Sequence, residues 1–315
     1  ALIDMIAFLG QNISYRVDLN ARENFLELAE RRESVLRLAR TLSYNAKRNQ
    51  PANGLLKFET VSTTESITDS NGFNLADQTV IWNDPSNTNW AEQFKRILNA
   101  SLPQNNTIGR PAKTATINSV LTQQYRFNAR TDDVPVFGFN KAVNGLPTQF
   151  EIVSTDIDLD IGRITEENPV PGNTMAFLYR EDGRGNGSSN TGYFAHFRQG
   201  LLSSSQFAIS NPVANQRIAI ETENINDSDV WLYGLTSGGV EEKLWTKVSS
   251  TEGNNVIYNN IAKCIRIFYV VQTRQNDEIS LVFADGTFGN IPAGGFRIYY
   301  RTSANRSMRI KPEEL

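Results

Sequence analysis

Past Pro111 no stretch of the sequence has helical periodicity, only short strand-like runs broken by turn residues. The runs are Thr114–Ile117, Val120–Phe127, Val136–Phe139, Gln149–Leu159, Met175–Tyr179, Phe194–Arg198, Arg217–Glu221, Val230–Leu235, Ile265–Gln272, Ile279–Phe283 and Phe296–Tyr300. Asn144-Gly145, Asp182-Gly183, Ser237-Gly238-Gly239 and Asp285-Gly286 stand between them, as tight turns require. Strands following one another without intervening helices exclude a doubly wound parallel sheet and point to an antiparallel sandwich or barrel. No fixed period recurs, which argues against a propeller or solenoid. The 33 asparagines fit this, because Asn tolerates left-handed backbone and hydrogen-bonds its own turn.

The first fifty residues read differently. Leu2, Ile6, Leu9, Ile13 and Val17 recur at steps of three or four, and Ala21, Phe25, Leu28 and Ala29 continue the stripe. Gly10 costs about 1 kcal/mol relative to alanine but does not end a helix. Asn20 followed by Glu23 admits a capping box opening a second helix; the simpler expectation is one helix to about Glu30. A shorter helix follows from an Ser34 N-cap, carrying Val35, Leu36, Leu38, Ala39 and Leu42, and residues 45–50 end the region ahead of Pro51. Leu55–Phe58 opens the strand pattern, Asp69–Gly72 reads as a turn, and Trp90, Phe94, Ile97 and Leu98 predict an isolated short helix over Asn89–Ala100.

The expected fold class is therefore α+β, mainly β, with an N-terminal helical arm followed by antiparallel β domains of sandwich or barrel type. Residues 1–50 form the arm, 51–110 the first strands with the short helix inserted, and 111–315 the antiparallel region. A start at Ala1 and a stop at Leu315 without a terminal signal suggest a segment of a longer polypeptide, and Ala1–Leu19, with Asp4, Arg16 and Asp18, does not read as a signal peptide.

Composition narrows the function classes. Thirty-one Lys and Arg against 34 Asp and Glu give a net charge of −3, so no global cationic field exists to hold nucleic acid. One Cys and one His leave no disulfide framework and no usual zinc set, and no apolar run reaches membrane-spanning length. No cofactor is expected.

Individual motifs also have bland explanations. Asp156-Ile157-Asp158-Leu159-Asp160-Ile161 lacks the glycine a calcium loop needs at its sixth position, and its alternation predicts a solvated acidic strand face with Ile157, Leu159 and Ile161 opposite. Glu181–Gly187 follows a strand as phosphate loops do, but no helix and no Gly-Lys-Ser/Thr follows, so a mobile hairpin tip is expected. His196 has no nucleophile elbow to serve, and Cys264 sits in an apolar run as a small buried thiol would. No carboxylate pair stands out for sugar hydrolysis, and Trp82, Trp90, Trp231 and Trp245 lie inside periodic segments as core residues do.

Two stretches carry a resemblance. Leu2–Phe8, Asn20–Leu26, Val35–Tyr44 and Pro51–Gly54 resemble the N-terminal helical region of the baseplate J-like family, which includes the wedge-backbone subunit of contractile-tailed bacteriophages; Ser43 stands where that family has glycine. Phe283-Ala284-Asp285-Gly286-Thr287-Phe288-Gly289-Asn290-Ile291-Pro292-Ala293-Gly294-Gly295 is similar to the family's glycine-rich hairpin, with Ala284 and Ala293 departing from its usual Gly and Pro. In that hairpin Asp285-Gly286 would make the tight turn, Gly289 would permit a left-handed step and Pro292 would stiffen the return. Leu244–Val248 is similar to the tryptophan-containing strand that precedes it.

The resemblance implies a structural, non-enzymatic subunit of the virion, assembled in the host cytoplasm into an inner ring around hub and tail tube. Its implied partners are a second copy and other wedge subunits, with hub or tail-tube proteins beside them, gathered through Leu2, Ile6, Leu9, Ile13 and Val17. The alternative for that stripe is packing on the chain's own sheet. The other function classes are a β-rich virion adhesin or carbohydrate-binding tail protein, favoured by the Asn-rich turns, and a tail-associated depolymerase.

Overall fold

The computed structural model describes residues 2–42, 44, 48, 50–64, 77–99, 111–127, 133–172, 174–248, 266–287 and 289–306. The expected turn at Asp69–Gly72, together with Ser43, Cys264, Ile265 and Phe288, lies outside them. The chain is mainly β, with helices at its N-terminus and antiparallel sheets after them, one a half-barrel. It forms two compact units: Pro51–Leu201 builds one, and Ala1–Gln50 together with Leu202–Ser307 builds the other. Residues 51–110 and 111–201, expected as separate segments, thus share one unit, and the arm belongs with the C-terminal strands.

In the Pro51–Leu201 unit the elements run β1 (Asn53–Lys57), β2 (Thr60–Thr63), β3 (Gln78–Ile81), α3 (Trp90–Asn99), β4 (Lys113–Ile117), β5 (Val120–Phe127), β6 (Val136–Val143), β7 (Leu146–Val153), β8 (Thr155–Asp158), β9 (Arg163–Glu166), β10 (Met175–Glu181) and β11 (Gly192–Gln199). Seven of these form an antiparallel sheet in the order β4-β5-β10-β11-β7-β6, with β1 beside β11. The β6–β7 turn is Asn144-Gly145, both at positive φ, so that Val143 faces Leu146 in a two-residue loop. Asn118-Ser119 closes β4–β5 in the same way. Among the described residues, six of the nine non-glycine residues at positive φ are asparagines, as the turn-forming tendency of Asn leads one to expect. Phe94 of α3 is fully buried and stacks on Tyr193 at 5.9 Å, fastening the helix to the β2–β3 pair and the main sheet.

The second unit holds α1 (Leu2–Arg22), α2 (Arg32–Thr41), β12 (Leu201–Ile209), β13 (Arg217–Ile220), β14 (Ile225–Leu235), β15 (Glu241–Lys247), β16 (Phe268–Thr273), β17 (Ile279–Phe283) and β18 (Gly294–Thr302). Its sheet order is β12-β18-β14-β15-β16-β17-β13, over a core that includes Leu232, Trp245, Leu281, Phe283, Phe296 and Ile298. One pair departs from the antiparallel expectation: β15 and β16 run parallel, Thr246 beside Phe268.

The segment resembling a hairpin is not one here. β17 pairs with β16 and β13, and β18 with β14 and β12, so Phe283–Gly295 joins strands that are not neighbours. Asp285 accepts the Thr287 N–H at 2.9 Å, Gly286 takes φ +93°, and Pro292 is buried. Gly289 is needed for space rather than for a left-handed step, because a Cβ there would stand 2.3 Å from the Phe268 ring. Gly295 precedes buried Phe296 in β18.

Candidate interaction surface

The arm departs from expectation first at its length. α1 stops at Arg22 instead of reaching Glu30, and the cause is Glu23. Its buried carboxylate turns back to accept the backbone N–H groups of Glu30 and Arg31, each at 3.2 Å, and also bonds the Ser34 hydroxyl. A carboxylate from eight residues upstream thus meets the N–H groups that open α2, where helix geometry leaves donors unpaired. α2 begins at Arg32, so Ser34 lies inside the first turn and is not the N-cap. These hydrogen bonds hold the Glu23 carboxyl below its ordinary range, the Ser34 contribution being the largest and burial opposing it. Farther along, Arg32 and Arg48 both pair with Asp277, and Arg48 donates to the Ser303 carbonyl at 2.6 Å.

α1 itself leaves its apolar side chains in solvent. Ile6, Leu9, Ile13 and Val17 are 62, 60, 55 and 63% exposed. Leu2 opens the helix, its side chain lying outside the described set. Among the described residues these four side chains do not pack on the chain's own sheet, as the alternative would have it. A second apolar side, Phe8 and Tyr15, is equally open, turned by roughly 145° from the first at 3.6 residues per turn. Phe25, Leu26 and Leu28 in the following turn are also exposed. Of the 23 large hydrophobic side chains exposed among the described residues, 13 fall within the first 44 positions, so the uncovered apolar surface is concentrated on the arm.

With the geometry of both units in view, the chain can be set beside known protein families. Residues 54–315, 262 of the 315, match the family described as Domain of unknown function (DUF8360). The chain belongs to that family. The matched region opens inside β1, so α1 and α2 precede it. No curated protein matches the chain.

Within the DUF8360 region the other singled-out residues have structural roles. Asp156 is no solvated face: it accepts from Lys113 Nζ at 2.5 Å and from Gln124 Nε2 at 3.3 Å. Asp158 accepts the N–H groups of Asp160 and Ile161, bending the chain so that Leu159 and Ile161 stand exposed on a turn while Ile157 is buried. The expected period-two alternation ends at that turn. The Glu181–Gly187 loop is not a loose tip either. Asp182 accepts from the Ser188 and Thr191 hydroxyls and the Arg184 N–H, while Lys57 and Trp82 donate to the Ser188 and Asn186 carbonyls. His196 is buried in β11, its backbone N–H donating to Thr155 Oγ1. Among the described residues no three His, Cys, Asp or Glu side chains gather as a metal would need, and no helix is long and apolar enough to cross a membrane. Trp82 and Trp90 pack edge to face at 4.6 Å, and Trp245 packs on Phe283 and Phe296. Sequence periodicity located the α1 stripe but missed Glu23 as a cap, since a carboxylate acting on donors seven and eight residues away leaves no local pattern.

Proposed function

We propose that this chain is a structural subunit of a bacteriophage tail baseplate wedge that works through assembly and transforms no substrate. Its arm associates with a second copy and with other wedge subunits, and the β units space the joints of an inner ring around hub and tail tube. The observation that carries the assembly role is the uncovered side of α1: burying Ile6, Leu9, Ile13 and Val17 contributes roughly 1.5–3 kcal/mol each before ordering costs. Two apolar sides on one helix suit enclosure by more than one partner helix. The baseplate setting rests on the resemblance of the two chain ends, in order, to the wedge-backbone subunit. Sugar binding has less support, because Trp82 and Trp90 are committed to packing on each other.

The test compares the chain with an Ile6→Asp, Ile13→Asp double variant by sedimentation, and by electron microscopy after co-expression with neighbouring tail proteins. The parent chain self-associates and enters sixfold rings; the variant melts at the same temperature yet stays monomeric and outside them. A parent chain that remains monomeric, or a variant that assembles normally, overturns the proposal.

A further inference from the structure

A cleft of about 560 Å3 lies between α2 with its preceding turn and the outer face of the β16–β17–β13 edge. Register explains the floor: Gln272 and Ser280 stand side by side on β16 and β17 and line it, while Ile279 and Leu281 point into the core. The walls carry Arg31, Arg37, Arg217 and Arg274 against Glu23 and Glu33. Glu23 is already spent on the α2 N-terminus, and Arg274 pairs with Glu278 at 3.4 Å. Arg37 and Arg217 have no ion-pair partner among the described residues.

From this we infer that the cleft takes an extended acidic peptide segment of a partner protein, an inference that rests on the assembly role just proposed. Guanidinium forks match carboxylates with two parallel hydrogen bonds. Glu33 opposes a compact polyanion, whereas an extended chain spreads its carboxylates between separate arginines and turns an N–H toward Glu33. Amide and hydroxyl groups at Asn24, Gln272 and Ser280 offer donors and acceptors to a peptide backbone, and Leu36 is the one apolar residue of the lining. Among the described residues β13 is the terminal strand of its sheet, and its Arg217 stands in the lining of the cleft. Asn20 lies near the end of α1 and also lines the cleft, so a partner following the apolar helix arrives at its mouth.

The test measures fluorescence anisotropy of a fluorescein-labelled peptide alternating Glu and Ala against the full chain at low salt. Saturable binding is expected, weakened about tenfold or more by Arg37→Glu with Arg217→Glu, since charge-assisted pairs are the strong ones. It should be unchanged by Arg163→Glu, an exposed arginine of β9. No saturable binding, equal weakening by Arg163→Glu, or displacement by equimolar inorganic phosphate overturns the inference. The Ile6→Asp, Ile13→Asp chain separates the two readings: it retains peptide binding while losing self-association, so peptide failure alone leaves the arm's role standing.

Discussion

Arg48 and Asp277 face each other at 3.9 Å with 1% and 4% of their side chains exposed, a nearly dry ion pair tying the end of the helical arm to the turn before β17. Burial pulls the Arg48 guanidinium below its ordinary pKa, while Asp277 and Asp227 pull it back up. Asp277 also pairs with Arg32 and accepts from Asn305 at 2.7 Å. Asp277→Asn keeps a residue tolerant of the φ of +55° found there but takes away the carboxylate that faces the buried Arg48 guanidinium. We expect a loss of about 3 kcal/mol in urea unfolding, and a smaller loss for Arg48→Met, because removing a buried charge also removes its desolvation cost. Equal losses would show that packing, not charge, holds the arm.

Acid should loosen the Glu181–Gly192 connection before the rest of its sheet. Asp182 is held down to about 2, first by the Ser188 hydroxyl and then by the Arg184 N–H. Between its unfolded value of about 3.9 and that lowered value, the unfolded chain takes up a proton that the folded chain refuses, so stability falls as pH falls. The difference in melting temperature between the parent chain and Asp182→Asn should be full at neutral pH, shrink below pH about 4 and vanish only as pH falls below about 2. A difference independent of pH would mean that the substitution acts through something other than the carboxylate charge, and that charge is not what pins the loop.

Periodicity and turn chemistry located most of the strands, with Val120–Phe127 and Ile279–Phe283 matching their observed bounds, because each rests on local alternation between turn residues. β12 was missed because Ser203, Ser204 and Ser205 blur that alternation in Leu201–Ile209. The parallel β15–β16 pair was missed because pairing partners far apart in sequence leave no local trace. On the arm the apolar stripe was readable from spacing alone, whereas Glu23 and Asp277 act on residues distant in the chain, and only coordinates bring these together.

Gly289→Ala tests the close approach in the β17–β18 connection. The added methyl would meet the Phe268 ring at 2.3 Å and the Ala284 Cβ at 2.7 Å, and Phe268 is itself fully buried. Neither neighbour has room to yield, so we expect a loss of roughly 1–3 kcal/mol by overpacking, read as a lowered thermal midpoint. Gly294→Ala, with φ of +90° but nothing within 4 Å, should cost less. The reverse ranking would place the constraint in backbone conformation and not in space.

Gly10 raises the opposite question. It lies inside α1 with nothing within 4 Å of where a Cβ would stand, yet glycine costs a helix about 1 kcal/mol relative to alanine. No contact among the described residues explains the glycine. Gly10 shares a side of the helix with Ile6, Ile13 and Val17, which puts it where a covering partner would approach, and small residues let helix backbones come close. Gly10→Ala should therefore raise helicity and thermal stability of the dilute chain, read by circular dichroism, while weakening self-association in sedimentation. Gly10→Leu should abolish association and leave the dilute chain folded. If both variants associate as the parent does, close approach at Gly10 is ruled out and the covering partner sits on the Phe8 and Tyr15 side alone.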